Sequence, residues 1–207
     1  MNLKVVAFDC DGVLFDSRAS NISFYNHILE YFKRPPLDEA AVDYIHAHTV
    51  YESLAYIFPD HPHLDEVIQY CRSLDYMRFI PLMLREAHLI EFLNFLRPQF
   101  GIAVATNRTT TTKAVFEHHK LIDFFDIIIS AQDVAHPKPH PESFLKIFQY
   151  FDISPAEALY FGDSIVDQEF ARNCGVKLVA FRNPHLEADY YLDSFAQGPE
   201  LIRQLTA

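Results

Sequence analysis

The sequence predicts an α/β fold: a parallel, doubly wound sheet with an all-helical insert after its first strand. Three observations predict it. Short apolar runs of strand length recur along the chain, helical patterns separate them, and one long stretch carries no strand signal. The 207 residues suffice for a substantial core, and half of them are apolar.

The elements follow in order. Residues 3–8 (LKVVAF) form a valine-rich run suited to a strand buried on both faces. Residues 102–105 (IAVA), 127–129 (III), 158–161 (ALYF) and 176–181 (VKLVAF) are four more. Residues 86–96 place Leu89, Ile90, Leu93 and Leu96 on one helical face, and Pro98 and Gly101 stop it. Residues 109–120 and 141–151 read as further helices, and Pro155 opens a short one. Between residues 16 and 84 the pattern is helical throughout. Residues 17–32 start at Asp16 or Ser17 as N-cap and end at Pro35-Pro36. Residues 37–57 and 64–79 read as two more helices, with Pro59 and Pro62 between them. The expected division is a catalytic core of residues 1–15 and 85–207, with residues 16–84 as the insert.

Composition excludes several functions. Seventeen Lys and Arg against 28 Asp and Glu leave a net charge of −11, so nucleic acid is not an expected partner. Five glycines offer neither dinucleotide nor P-loop spacing. No apolar run is long enough to span a bilayer, and the first one ends at Asp9, too early for a signal peptide. Three scattered cysteines suit a reduced, cytoplasmic protein. His61-Pro62-His63 and His118-His119 lack ordered metal spacing and read as surface positions.

In open parallel sheets, ligands bind beyond the carboxyl ends of the strands. Here those ends carry Asp9 and Asp11, then Thr106, Asn107 and Arg108, then Lys138, then Asp163 with Asp167 one turn on. Carboxylates brought this close repel unless a cation sits among them. An all-oxygen donor set favours magnesium over zinc. With Lys138 it suits a phosphate dianion, which Thr106 and main-chain N–H groups can also bind. Asp9, directly after the strand, suits a nucleophile, and Asp11 suits an acid and base. Cys10 between two carboxylates is a poor thiolate and reads as packing. Asp16 reads as a helix cap. Arg18 and Asn21, on the first helix of the insert, either touch a leaving group or are exposed helix residues. Arg108 is open in the same way.

Four segments together resemble the haloacid dehalogenase-like hydrolase superfamily, and within it the phosphoglycolate phosphatase-like branch. They are residues 9–17 (DCDGVLFDS), 105–108 (ATNR), 138–144 (KPHPESF) and 162–167 (GDSIVD), the last followed by Ala171, Cys174 and Gly175. The resemblance implies a Rossmann-like core with a helical cap, and a magnesium-dependent phosphatase acting on a small phosphomonoester through an aspartyl-phosphate. It implies Asp9 as nucleophile and metal ligand. It implies Asp11 as acid and base, with its main-chain carbonyl on the metal. Thr106 and Lys138 match the phosphoryl-binding positions; Asn107, Arg18 and Arg108 stand beside them as candidate substrate contacts on their position in the sequence alone. Asp163 matches a metal ligand, and Asp167 one that binds directly or through water. Asp11 sets the chain apart from the dehalogenase and phosphonatase branches. Leu84-Arg85-Glu86-Ala87 stands where a Pro-Gly pair usually follows the cap, which puts the return hinge in doubt. A phosphomutase of the β-phosphoglucomutase type and a non-catalytic phosphate-binding protein are the competing expectations.

Overall fold

The computed structural model describes residues 1–59, 62 and 64–207; the expectation for His61 and His63 lies outside them. In chain order the main elements begin with β1 (Val5–Phe8), β2 (Phe15–Asp16), α1 (Arg18–Tyr31), α2 (Glu39–Ala47), α3 (Val50–Ile57) and α4 (Leu64–Ser73). Then come β3 (Leu84–Arg85), α5 (Leu89–Leu96), β4 (Gly101–Ala105), α6 (Thr112–His118), β5 (Ile127–Ile129) and α7 (Glu142–Phe151). The chain closes with β6 (Ala158–Gly162), α8 (Ile165–Cys174), β7 (Lys177–Phe181), β8 (Tyr190–Leu192) and α9 (Gly198–Thr206).

Six strands form one sheet in the order β5-β4-β1-β6-β7-β8, and every pairing in it is parallel. β1 lies at the centre, with Phe8 opposite Val104 on one side and Phe161 on the other. Alternate residues of the central strands point to opposite faces, so both faces must be apolar. Val6, Phe8, Val104 and Phe161 pack with Leu93 of α5 and Ile202 of α9. Val5, Ala7, Ala103 and Tyr160 pack with Phe144 of α7 and Phe170 of α8. The fold class is the expected one.

Several element bounds differ from expectation, each for a local reason. Residues 37–57 are two helices. Thr49 and Glu52 form a capping box, with Glu52 Oε2 accepting from Thr49 N at 2.9 Å, so a second helix starts there. Residues 64–79 are helical only to Ser73; Asp75 then caps a short 3₁₀ turn by accepting from Met77 N at 3.0 Å. The helix expected from residue 86 starts at Leu89, because His88 takes a left-handed conformation. The helix expected over residues 109–120 covers only Thr112–His118. The sixth strand, β8, was not expected: it is a short edge strand with a half-exposed tyrosine pair. The stretch from residue 16 to 84 was expected to hold no strand, yet β2 and β3 pair antiparallel at its two ends, Phe15 with Arg85 and Asp16 with Leu84. This two-residue ribbon brackets α1–α4. Those helices bury an apolar cluster of their own, with Phe24, Ile28, Ile45, Leu54 and Val67 at its centre. No helix among the described residues is long and apolar enough to cross a membrane.

Candidate active site

β1 ends at Phe8, and the chain continues one more rung as Asp9 N donates to Phe161 O at 2.9 Å. Asp9 is therefore delivered to the carboxyl edge by a wholly buried central strand. The chain then turns tightly, with Gly12 N donating to Phe15 O and Leu14 N to Cys10 O. Gly12 takes φ +80, and a Cβ there would stand 2.0 Å from Asp163 Oδ2. The glycine thus lets the loops after β1 and β6 approach each other.

Lys138 sits at the centre of the site, its side chain only 3% exposed. Its Nζ lies 2.8 Å from Asp9 Oδ1, donates to Asp167 Oδ1 at 2.7 Å and donates to the Tyr160 hydroxyl at 2.9 Å. The peptide bond between Lys138 and Pro139 is cis. Asn107 holds this loop from across the sheet: its amide donates to Lys138 O at 3.0 Å and its oxygen accepts from Lys138 N at 2.9 Å. That carboxamide bonds the Lys138 backbone, and Asn107 also lines the cavity. Thr106 is buried beside it and lines the cavity.

Asp167 is buried and saturated with donors. Lys138 and the Tyr160 hydroxyl reach Oδ1, while Asp163 N, Ser164 N and Ser164 Oγ reach Oδ2. The Ser164–Asp167 capping box at the start of α8 produces the second set. Asp9, Asp163 and Asp167 each bring a carboxylate oxygen within 4.8 Å of the others. Asp9 Oδ1 is buried and, beyond the Lys138 ammonium, has no partner among the described residues. Two carboxylates with uncommitted oxygens on a cradle that a Cβ would fill are a fitting place for a hard divalent cation.

The charges bear the marks of crowding. Burial, helped by the Asp167 and Asp11 charges and opposed by Lys138, pushes Asp9 up to about 7. Burial and the Asp167 and Asp9 charges hold Asp163 well above the usual carboxylate range. Burial opposes ionisation of Asp167 too, but Lys138 outweighs it and holds that carboxyl below the usual range.

Asp11 faces the other way. Its two oxygens accept from Arg108 Nη2 at 2.6 Å and Nε at 3.0 Å. Burial would raise Asp11, but the guanidinium prevails and holds it below the ordinary carboxylate range. Arg108 also donates to Thr111 Oγ1 at 2.9 Å and lies over the Tyr76 ring at 5.3 Å. Arg18 is not in this group. It is half exposed, stands 3.5 Å from Asp43 and lines a shallower groove on the Asp163 side. Asn21 does line the main cavity and bonds the Tyr76 hydroxyl.

The sequence reading missed three residues. Tyr160 was counted as core, but its hydroxyl bridges Lys138 and Asp167; a polar atom on an otherwise apolar central strand was the available signal. His46 and Tyr76 line the cavity from the helical segment, and no spacing rule marked them.

The chain is similar to known proteins over most of its length. A sequence profile of the haloacid dehalogenase-like hydrolases matches residues 6–181. A hydrolase of the same superfamily from Geobacter sulfurreducens, subfamily IA, variant 1, is 37% identical with a TM-score of 0.80, covering 97% of each chain. A "predicted phosphoglycolate phosphatase" from Haemophilus somnus shares the fold with a TM-score of 0.84 at 21% identity, over 100% of this chain and 99% of that one. The pyrophosphatase PpaX of Bacillus cereus is 28% identical over 207 residues, 95% of this chain and 94% of its own. With strand ends, loops and profile in accord, the chain belongs to the haloacid dehalogenase-like hydrolase family and is a hydrolase.

Proposed function

We propose that the protein is a magnesium-dependent phosphatase that hydrolyses a small phosphomonoester through an aspartyl-phosphate. The observation that carries this reading is the buried Lys138 ammonium between Asp9 and Asp167, beside the otherwise unpartnered Asp9 Oδ1. Asp9, Asp163 and the Asp11 main chain would hold the ion, and Asp167, whose oxygens already accept from five donors, would act on it through water. When bound, magnesium supplies positive charge to the phosphoryl oxygens.

The Asp9 carboxylate attacks phosphorus, the ester P–O bond breaks, and its electron pair leaves with the alcohol oxygen. Asp11 gives that oxygen a proton. Water then attacks phosphorus and loses a proton to Asp11, and the Asp9–phosphorus bond breaks to free phosphate. Lys138 and Thr106 neutralise and bind the phosphoryl oxygens throughout. Tyr160, Asp167 and Asn107 hold Lys138 in place. Residues 1–15 and 85–207 form the catalytic unit and residues 16–84 its cap, with the two-residue ribbon as the crossing point.

The cavity of about 130 Å³ over Asp9 is walled by Thr106–Thr111 on one side and α1–α4 on the other. That volume is near the size that admits one small aromatic ring, so a phosphoryl group with a short tail fits and a polymer does not. The test is phosphate release from a panel of small phosphomonoesters, with and without magnesium, by wild type and Asp9→Asn. Magnesium-dependent release lost in the variant supports the reading; release that persists in Asp9→Asn overturns the nucleophile. Isomer interconversion without free phosphate replaces it with the mutase, and ligand binding without turnover replaces it with the binding protein.

A further inference from the structure

The return from the helical segment runs through Leu84-Arg85-Glu86-Ala87, where neither proline nor glycine sets the backbone. A side chain does so instead. Glu86 stands one rung beyond the β2–β3 ribbon, with its N–H donating to Leu14 O at 3.1 Å. Its carboxylate is buried, 6% exposed, and Oε1 accepts from Arg182 Nη1 at 2.6 Å. Burial, with the charge of Asp16 in the same ribbon, pushes the Glu86 carboxyl up, and Arg182 opposes them.

The other partner is firmly based. Arg182 follows β7 in a left-handed conformation, φ +52, which residues with a side chain seldom adopt. Its N–H donates to Leu192 O at 2.8 Å and its Nε to Asp193 O at 3.1 Å, both at the end of β8. The next residue, Asn183, donates from Nδ2 to Asp163 O at 2.8 Å. The guanidinium is thus fixed to the strand-end edge that carries Asp163. A wholly exposed ion pair would contribute little. Here one partner is buried, so losing the arginine leaves an uncompensated carboxylate beside Asp16. That carboxylate can reach water only by pulling residues 84–86 away from Leu14, and so loosening the ribbon.

We propose that Arg182 is a positioning residue that latches the return hinge, through Glu86, to the edge carrying Asp163. This goes beyond the phosphatase reading and rests only on residues 16–84 acting as a cap. Hinges of this kind set how a mobile segment meets its site, so the latch governs how well the cap closes over a substrate, not the reaction itself.

The experiment reads amide hydrogen exchange by NMR in wild type, Arg182→Gln, Glu86→Gln, Arg182→Lys and the double variant Glu86→Gln/Arg182→Gln. The Glu86 amide reports the hinge. The Gly101 amide, which donates to Lys4 O at 2.9 Å at the start of β4, is the control. Arg182→Gln should speed exchange at Glu86 by at least about tenfold and leave Gly101 unchanged. Arg182→Lys should fall between, having the charge without the fork. Glu86→Gln removes the buried charge and should stay within about threefold of wild type, and so should the double variant. A double variant that exchanges faster than either single variant overturns the latch, since two independent contacts behave that way. Equal acceleration at Gly101 overturns it too, because the loss is then general. On a small phosphomonoester that wild type hydrolyses, Arg182→Gln should raise KM about tenfold with kcat within about threefold; an unchanged KM overturns the positioning role. The exchange measurements need no turnover. Folded wild type that releases no phosphate while the exchange pattern holds removes the phosphatase and keeps the latch, and hydrolysis with unaltered hinge exchange does the reverse.

Discussion

At the carboxyl edge of the sheet, Asp9, Lys138, Tyr160 and Asp167 are buried within contact of one another, and Asp167 alone accepts from five donors. Across the cavity, the helical segment presents Tyr25, Leu54, Ile68 and Leu74, with polar contacts as loose as 3.4 Å between Asn21 and His46 and an unpartnered His46 Nε2. One wall ties Lys138 and Asp167 into a dense network and leaves open carboxylate oxygens on Asp9 and Asp163, where the ion is proposed, whereas the other leaves a buried imidazole nitrogen unpaired among the described residues. A wall bonded this densely holds reacting groups still, which suits a reaction common to many substrates. A wall with spare polar atoms is completed by what enters, which suits selection among substrates. The two also fold on different supports, a central parallel ladder against a separate helical cluster joined through two short strands.

The comparison can be broken or sharpened by substitution. Asp9→Asn should have the largest effect, a loss of at least about 1000-fold in kcat, because it removes the nucleophile. The same variant should be the more stable protein at pH 8 in chelator. The folded pKa of Asp9 is raised to about 7 from 3.8, so its contribution to stability is present below about pH 4 and lost as pH rises through 7. Thermal melts should show Asn raising Tm by roughly 3–6 °C at pH 8, with the gain shrinking toward pH 4 and with added magnesium. A gain that is constant with pH would show that Asp9 is not strained by its neighbours.

Gly12→Ala comes next. Its Cβ would enter Asp163, and its φ of +80 disfavours any side chain. A stability loss of about 1–2 kcal/mol is expected from the backbone alone, together with a fall in kcat of about 100-fold or more as the two loops separate. Urea unfolding and steady-state rates check the two parts. Leu54→Ala should cost about 2–5 kcal/mol, since Leu54 is wholly buried in the helical cluster. Where the variant stays folded, KM should rise more than kcat falls; the reverse would place the helical wall in the chemistry. The mildest effect is expected from Tyr160→Phe. It removes one hydroxyl between Lys138 and Asp167, at about 1–2 kcal/mol and a roughly tenfold loss in kcat. If it proves as damaging as Asp9→Asn, the bonded wall depends on its holders as much as on its reacting groups.

Much of the bonded wall was legible in the sequence. Asp9, Thr106, Lys138 and Asp163 each follow a short apolar run, and a parallel sheet brings such positions to one edge. Asn107 and Asp167 were legible as members of the site, but the backbone of Lys138 claims the one side chain and five donors, from Lys138, Tyr160, Asp163 and Ser164, claim the other, and spacing does not show that. The Thr49–Glu52 capping box was written in the sequence and masked by a continuous helical pattern on either side. β8 and the ribbon of β2 and β3 were illegible because two or three residues carry no period, and they lack the unbroken β-branched run that marks β5.

The sequence by itself determined the fold class, the order of the strand-end motifs and the family, because hydrophobic period and local motifs are properties of neighbouring residues. Only the tertiary structure decided where Arg108 goes. Asp11 and Arg108 stand 97 positions apart, and Tyr76 and His46 arrive from helices with their own core. Which charge meets which across such distances depends on how separate elements pack, and no local pattern encodes that.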